Sequence, residues 1–288
     1  MEYLIHLAIL FAIYVPLAVS LNLVVGYTGL LSVTHAAFYG VGAYATTLLM
    51  VNFGWSFIPA VIVAMLFSGL LATIFGLILS RFRDDYYALV SFGFNIIVYS
   101  ILLNWESLTR GPLGIPGIPR PEMFGFVFGS NFSFLLLSLA LALGIYLIST
   151  GIVHSSFGRV LKGIREDEKV LKIFGYQTEL FKLVIFGLTA MMAGLAGGLF
   201  ATYITFIDPS TFGLNESIFI LAIIILGGMA NLRGSVVGAL FLILLPEILR
   251  FVGFPTDIAA QMRQVVYGAL LVGLMLYRPQ GLLGEYKM

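Results

Sequence analysis

Residues 57–80 read FIPAVIVAMLFSGLLATIFGLILS and contain no Asp, Glu, Lys or Arg. One helix needs about 20 consecutive apolar residues to cross the hydrocarbon core of a bilayer. The stretch is long enough, and it lacks the alternation of apolar and polar residues that is typical of a barrel strand. It therefore predicts a transmembrane α-helix, and similar stretches recur along the chain. The candidate spans are 4–25, 33–51, 57–80, 86–103, 132–152, 180–206, 217–229, 235–252 and 263–277.

The composition indicates a membrane protein over the whole length of 288 residues. Charged residues make up 10% and hydrophobic residues 60%, and the mean hydropathy is +1.05. A soluble domain carries about 25% charged residues and could not bury so much apolar surface. We predict an all-α polytopic membrane protein, with one transmembrane domain over residues 1–288 and about eight to ten transmembrane or re-entrant helices. Segment 217–229 is short for a full span, so it is either re-entrant or continues past its glycines.

The basic residues predict the orientation, because cytoplasmic loops are enriched in Lys and Arg. Of the 15 basic residues, 11 fall on one side of the predicted spans and four on the other. We expect the 153–179 loop and the C-terminus in the cytoplasm and the 104–131 loop outside. Nine spans would place the N-terminus outside, and ten would place it inside. The 11 are Arg81, Arg83, Arg159, Lys162, Arg165, Lys169, Lys172, Lys182, Arg233, Arg278 and Lys287.

Several function classes find no support in the chain. The net charge is +1 without a basic tail, which argues against nucleic-acid binding, and there is no Cys to ligate a metal. The three His residues lack zinc-ligand spacing, and no Gly-Lys-Ser/Thr tripeptide is present to bind ATP phosphates. We therefore predict no catalytic residue, no metal and no cofactor, and we do not expect an enzyme.

Polar residues at membrane depth are costly and mark structural or functional positions. Asn22, Asn95 and Glu247 are the clearest. Glu247 is expected to pair with Arg250 one turn later, as a structural ion pair rather than a substrate contact. Small residues are expected to let helices pack closely, or to line an interface with a second membrane subunit. These small residues are Gly194, Gly198, Gly227, Gly228 and Gly234.

The loop from Gly158 to Gly175 is the only strongly charged stretch. Its apolar residues follow a helical period, which predicts one or two short amphipathic helices between the two glycines. Basic amphipathic helices can lie on lipid headgroups, but residues 166–168 are all acidic, which favours docking to a protein partner. The candidate docking residues are Gly158, Arg159, Leu161, Lys162, Ile164, Arg165, Glu166, Asp167 and Gly175.

Four stretches in the expected order carry a family resemblance. They are 22–44 (NLVVGYTGLLSVTHAAFYGVGAY), 111–119 (GPLGIPGIP), the 158–175 loop, and a C-terminal group made of 209–212 (PSTF), Ser217, 226–234 (LGGMANLRG) and 245–250 (LPEILR). The chain resembles the membrane permeases of branched-chain amino-acid ABC importers, specifically the LivM-type member of the permease pair. Leu30 and Thr34 depart from the first motif, where Gln and Gly are expected. Because of these departures, a permease for urea or short amides stays open as an alternative.

The resemblance implies a multi-pass subunit in the plasma (inner) membrane of a prokaryote. Its implied partners are a second homologous permease subunit, two ATP-binding cassette subunits and an extracytoplasmic substrate-binding protein. The 158–175 loop would couple the permease to the ATPases: Leu161, Ile164 and Leu171 would fill a groove on the ATPase, with Arg165 and Glu166 at its rim. The candidate translocation path comprises Asn22, Ser32, His35 and Asn95.

Two other classes remain open on the residues alone. An ion-gradient-driven secondary transporter would show broken helices and an ionisable site near the membrane midplane. A membrane-embedded enzyme acting on lipid would need convergent His, Asp or Ser side chains, and the sequence does not assemble such a group.

Overall fold

A computed structural model describes residues 2–82, 84–123, 125–251, 265–266, 268–269, 272–273 and 280–283. Within these ranges the chain is almost entirely helical, which confirms the predicted all-α membrane fold. The helices are α1 (Glu2–Thr28), α2 (His35–Phe53), α3 (Phe57–Leu79), α4 (Asp84–Asn104), α5 (Glu106–Thr109), α6 (Asn131–His154), α7 (Ser156–Ile173), α8 (Thr178–Ile204), α9 (Leu214–Gly227) and α10 (Leu232–Phe251). The strands are β1 (Ile115–Pro116), β2 (Glu122–Met123), β3 (Phe126–Val127) and β4 (Phe206–Ile207).

Six of the described helices are long and apolar enough to cross a membrane: α1, α2, α3, α4, α6 and α8. The short segment predicted at 217–229 is α9, and it forms a bent pair with α10 at an angle of 119°. The last predicted span, 263–277, lies mostly outside the described residues. The apolar runs therefore identify the helices correctly. The short segment α9 is one half of a bent helix pair rather than a simple span.

Helix α1 runs from one end of the bundle to the other. At its start, the carboxylate of Glu2 accepts a hydrogen bond of 2.8 Å from Asn131, which follows the 104–131 loop. At its end, the carbonyl of Gly26 accepts a hydrogen bond from Arg165 of α7. The start of the chain and the 104–131 loop therefore share one end of the bundle, and α7 lies at the other.

The described part of the C-terminus lies at the α7 end. The amide of Leu283 donates to the carbonyl of Gly227 over 2.9 Å, and Asn231 donates to the carbonyl of Leu283 over 2.7 Å. Asn22, near the end of α1, donates in turn to the carbonyl of Asn231. Residues 282–283 and α7 thus share one end, while the cytoplasmic assignment of that end stays a prediction from the basic residues.

Helix α8 is central and packs against α1, α2 and α3. Its small residues allow this close approach. A Cβ atom at Gly194 would lie 2.6 Å from the Ser68 hydroxyl of α3, and one at Gly198 would lie 2.7 Å from the Thr46 hydroxyl of α2. Both glycines therefore face helices of this same chain, and close backbone packing supplies the attraction that the hydrophobic effect cannot supply in lipid.

We expect Gly194→Ala to destabilise the protein by about 1–3 kcal/mol, the usual cost of adding a methyl group to a filled core. The matched control is Gly144→Ala on α6, where a Cβ would meet nothing within 4 Å. The measurement is the thermal unfolding midpoint of each variant in detergent. Equal midpoints for Gly194→Ala and the wild type would show that α3 and α8 can separate without cost.

The turn between α9 and α10 depends on Asn22. Its amide nitrogen donates to the carbonyl of Asn231 over 3.0 Å and to the hydroxyl of Ser235 over 2.6 Å, and its Oδ1 accepts from the Ala230 amide over 2.9 Å. After the turn, a Cβ at Gly234 would lie 2.6 Å from the carbonyl oxygen of Gly227. One buried side chain of α1 and a close glycine contact therefore hold the sharp bend.

Candidate functional site

The segment 29–34 interrupts the path from α1 to α2. It leaves α1 at the α7 end and runs back into the bundle without helical structure, so α2 begins among buried residues. The first amides of a helix have no partner within it, and Thr34 makes no side-chain cap here. Instead, Ser217 of α9 accepts a hydrogen bond of 3.0 Å from the Ala36 amide. The start of α2 is therefore capped by another helix.

A buried polar cluster surrounds this start, and it consists of Ser20, Ser32, Thr34, His35, Ser91, Asn95 and Ser217. His35 Nε2 lies 2.8 Å from the hydroxyl of Ser20. Asn95 donates to the carbonyl of Val33 over 3.2 Å and to the hydroxyl of Ser217 over 2.9 Å. These bonds join α1, α2, α4 and α9 around the 29–34 segment.

The cluster lies near the middle of the membrane, because Asn95 is close to the midpoint of α4. Its side chains are hydroxyls, one amide and one imidazole, and most of their donors are used within the chain. Among the described residues, the Oδ1 atom of Asn95 is a buried oxygen without a hydrogen-bond partner. These side chains hold the backbone at residues 33 and 36 in place. They do not form a nucleophile–base–acid arrangement.

The structure separates the predicted path residues. Ser32, His35 and Asn95 come together in the buried polar cluster, whereas Asn22 holds the α9–α10 turn. Glu247 accepts a hydrogen bond from Tyr3, which lies at the start of α1, whereas Asn22 lies near the end of that helix. The predicted partner of Glu247 is Arg250. The side chain of Arg250 lies outside the described residues, so the predicted pair is not described.

The predicted inner-loop helix is α7, an amphipathic helix that begins before Gly158. Gly158 lies in its first turn, not in the preceding turn, and a Cβ there would overlap the carbonyls of residues 152 and 153. Asp167 departs from helical geometry at φ −157° and ψ 100°. Its carboxylate accepts a hydrogen bond of 2.8 Å from the Lys169 amide, so it caps a second helical piece.

The expectation that Leu161 and Ile164 fill a groove on a partner is wrong. Leu161 is 0% exposed and Ile164 5% exposed, and both belong to the core of this chain. Leu171 also packs against that core. Helical periodicity identifies an apolar face correctly, but it does not say which neighbour covers the face. Here the bundle itself covers it.

A second set of apolar residues at the end of α7 is exposed, and we call it the α7 apolar patch. Ile173 is 84% exposed and Phe174 75% exposed. Gly175 then turns the chain with a positive φ of 86°, which glycine adopts at no steric cost. The exposed members of the α7 apolar patch are Val170, Ile173, Phe174 and Tyr176.

Polar contacts fix α7 to the bundle on both sides of the Asp167 break. Arg165 donates to the carbonyl of Gly26 at the end of α1. Beyond the break, Glu168 lies 2.9 Å from the ammonium of Lys182 on α8 and accepts a bond of 2.9 Å from Thr178. A displacement of α7 would therefore move α1 and α8 together.

The contacts that fix α7 to the bundle also lower the pKa of Glu168. Partial burial raises the pKa of its carboxyl, but hydrogen bonds from Lys182 and Thr178 and the nearby ammonium groups lower the pKa more, so it lies below its usual value of 4.5. A depressed pKa in the folded state stabilises the protein above the unfolded pKa, and this stability is lost as the pH falls through the folded pKa.

We therefore expect the unfolding midpoint of the wild type to exceed that of Glu168→Gln at pH 7, and the difference to shrink as the pH falls below about 4. The measurement is thermal unfolding in detergent from pH 7 to pH 3. Glu166→Gln, an exposed neighbour, serves as the control and should follow the wild type. A difference that is the same at all pH values would contradict the ionic contribution.

A cleft of about 560 Å³ opens at the α7 end of the bundle. It lies between residues 28–31, where α1 gives way to the 29–34 segment, and residues 164–169 of α7. Lys182 also lines it. The cleft therefore separates α7 from the segment that carries the start of α2.

The 104–131 loop is ordered by contacts to α8 and its extension. β1 pairs with β4 in antiparallel register, with Ile115 opposite Ile207. The Arg120 guanidinium lies 5.5 Å from the ring centres of both Phe134 and Tyr203, a cation–π arrangement. Residues 111–119 contain a 3₁₀ turn at Gly111–Leu113 and the strand β1, and they form no α-helix, because proline lacks an amide donor and fixes φ.

One polar residue at membrane depth was missed by the sequence reasoning. Glu216, in the first turn of α9, accepts a hydrogen bond of 2.6 Å from Tyr14, which is near the middle of α1. Its neighbour Asn215 is exposed on the protein surface. In the sequence, Glu216 stands out as a single carboxyl beside Ser217, at the start of an otherwise apolar run.

The chain is similar to known membrane proteins over nearly its whole length. Residues 3–275 match the family described as the permease component of the branched-chain amino acid transport system. The chain is 33% identical to the high-affinity branched-chain amino acid transport system permease protein LivM of Escherichia coli strain K12, over 97% of this chain and 69% of that protein.

Two further relatives match this chain over most of its length and over most of their own length. The probable branched-chain amino acid transport permease protein LivM of Methanocaldococcus jannaschii is 24% identical over 96% of this chain and 91% of its own. The permease protein LivH of Escherichia coli strain K12 is 24% identical over 94% and 91%. No solved structure matches the chain.

Proposed function

Because the chain belongs to the permease components of branched-chain amino acid transport systems, we propose that it is the membrane-spanning subunit of an ATP-driven importer for leucine, isoleucine and valine. The observation that carries the proposal is the family match over residues 3–275 together with a helical membrane fold. The chain contributes the permease, and separate subunits hydrolyse ATP.

Two ATP-binding cassette subunits dock at the α7 end, on the face we assign to the cytoplasm. The α7 apolar patch supports this, since Ile173 and Phe174 offer exposed apolar side chains on an element otherwise rich in charge. Interface energy concentrates in a few central, often aromatic, residues. The buried Leu161 and Ile164 contribute by fixing α7 to its own bundle, so that motion of the docked subunit is transmitted.

Transmission runs through the polar contacts of α7. The bonds from Arg165 to the end of α1 and from Glu168 to Lys182 of α8 join the docking element to two long helices. When the ATPase subunits close, α7 moves, and α1 and α8 rock as rigid elements to give alternating access. Ser32, His35 and Asn95 act as positioning residues that keep the 29–34 segment and α9 in register.

The opposite end receives the substrate-binding protein from outside. There the 104–131 loop is held by the β1–β4 pairing and by the Arg120 contacts, and a cleft of about 670 Å³ separates it from the turn at residues 54–59. A preformed surface loses little conformational freedom on docking. A second homologous permease subunit completes the complex in the plasma membrane of a prokaryote.

The test is uptake by the complete complex in proteoliposomes. We expect labelled leucine to accumulate and to be competed by isoleucine and valine. Leu30 and Thr34, which depart from the family motif, lie in the 29–34 segment, so the same vesicles should be offered urea and acetamide. Uptake of urea that is indifferent to leucine would reject the amino-acid substrate and favour an amide permease.

A further inference from the structure

Helix α9 begins near the middle of the membrane. Two contacts establish this depth: Glu216 is bonded to Tyr14, near the midpoint of α1, and Ser217 is bonded to Asn95, near the midpoint of α4. The first turn of α9 therefore presents Asn215 and Glu216 at a depth where polar side chains are costly against lipid.

This turn is not enclosed by the chain's own helices. Asn215 is exposed, Glu216 is only partly buried, and Ile218 is exposed beside them. Within the part of the chain that the structure describes, no Lys, Arg or His nitrogen lies within 4.0 Å of the Glu216 carboxyl. The exposed Asn215 amide thus faces outward at mid-depth with the partly buried Glu216 carboxyl beside it, which requires water or a polar partner on that side.

Other polar atoms lie close to this turn from the protein side. The Oδ1 atom of Asn95, whose amide holds Ser217, is buried and without a hydrogen-bond partner among the described residues, as is the hydroxyl of Tyr39. Tyr39 is a residue of α2, and its ring packs on Phe212, which lies two residues before the start of α9. Among the described residues, the surroundings of Glu216 therefore supply oxygen atoms and no cationic side chain.

We infer that the first turn of α9 lines a water-filled translocation path and that Glu216 binds the α-ammonium group of an amino-acid substrate. The inference rests on the proposed function, since it assigns a contact within the same transport path. A carboxyl accepts hydrogen bonds from an ammonium group strongly, because both partners are charged. Tyr14 orients Glu216 through Oε1, which leaves Oε2 to face the path.

This assignment distinguishes substrate classes. Leucine, isoleucine and valine carry an ammonium group, whereas urea and short amides do not. A site built around one carboxyl and several oxygen acceptors therefore favours the amino acids, because a neutral amide can donate N–H bonds to the carboxyl but brings no positive charge to balance it. The apolar residues that follow Ser217 in α9, such as Ile218, suit an aliphatic side chain.

The first experiment tests whether the turn faces water. The chain contains no Cys, so Asn215→Cys introduces a single thiol, and Ile97→Cys places one on the exposed face of α4 two residues from Asn95. In the assembled complex, a charged methanethiosulfonate reagent should label residue 215 but not residue 97. Leucine should slow the labelling. Equal absence of labelling at both positions would overturn the inference.

The second experiment tests the ammonium contact. Glu216→Gln should reduce leucine uptake about tenfold or more, since the acceptor of the ammonium hydrogen bond loses its negative charge, while assembly and ATP hydrolysis stay at wild-type levels. Glu216→Asp should recover part of the uptake, and Glu106→Gln on the outer loop is the control. Wild-type uptake by Glu216→Gln, or its failure to assemble with the second permease subunit, would overturn the assignment. Uptake of urea in place of leucine by the wild type would instead reject the proposed substrate, independently of the labelling at residue 215.

Discussion

Replacing both Ile173 and Phe174 by Asp is expected to abolish ATP-driven uptake while the protein still inserts and folds. Both side chains are exposed in the α7 apolar patch, so the change removes no contact in the core of this chain. Truncating a central interface residue often costs about 2 kcal/mol or more, and two charges in an apolar contact cost further. The expected result is loss of the ATPase subunits on purification, with an unchanged unfolding midpoint of the permease.

The control for this variant is Ile164→Asp. Ile164 belongs to the core, so a charge there should lower the unfolding midpoint itself and prevent normal folding. The two outcomes separate docking from stability. Retention of ATPase binding and uptake by the Ile173/Phe174 double variant would show that α7 only lies on the membrane surface and that coupling uses another contact.

Replacing Asn22 by Leu is expected to have the largest effect on stability among single polar substitutions in the bundle. The change removes every bond by which Asn22 holds residues 228–235, and the Ala230 amide loses its acceptor. Each unsatisfied buried polar group costs about 1–3 kcal/mol, so the sum is about 3–5 kcal/mol.

The measurement is the unfolding midpoint together with protease cleavage between α9 and α10. Asn22→Leu should lower the midpoint strongly and expose the 228–231 turn to cleavage. Asn104→Leu is the matched control, because Asn104 is exposed and bonds only to a carbonyl of its own helix. An unchanged midpoint for Asn22→Leu would mean that the 119° bend is held by the glycine contacts alone.

Much of the fold could be predicted from local sequence. The run at 57–80 matches α3 at 57–79 because lipid requires a continuous apolar helix, and that requirement is visible without any long-range contact. The same holds for the prolines of the 104–131 loop, which exclude α-helix whatever the loop packs against. Such features depend on the residue and its immediate neighbours.

The site was harder to predict because its contacts join distant residues. Asn22 holds a turn more than 200 positions away, and Glu216 is bonded to Tyr14 at a similar separation. Periodicity placed Leu161 and Ile164 on one face of α7, but the neighbour that covers this face follows from tertiary packing. Polarity at membrane depth singled out Asn95 and Ser32, both of which are buried, and it gave no sign that they support the backbone of the 29–34 segment.

The proposed coupling is the movement of substrate through this permease by contact with ATP-hydrolysing partners. It is tested most directly by leucine uptake into proteoliposomes that contain the complete complex, with ATP sealed on the side of α7 and no ion gradient. We expect accumulation that requires ATP hydrolysis and the binding protein, and that disappears when Ile173 and Phe174 are replaced by Asp. Accumulation without ATP that follows an imposed sodium or proton gradient would contradict it.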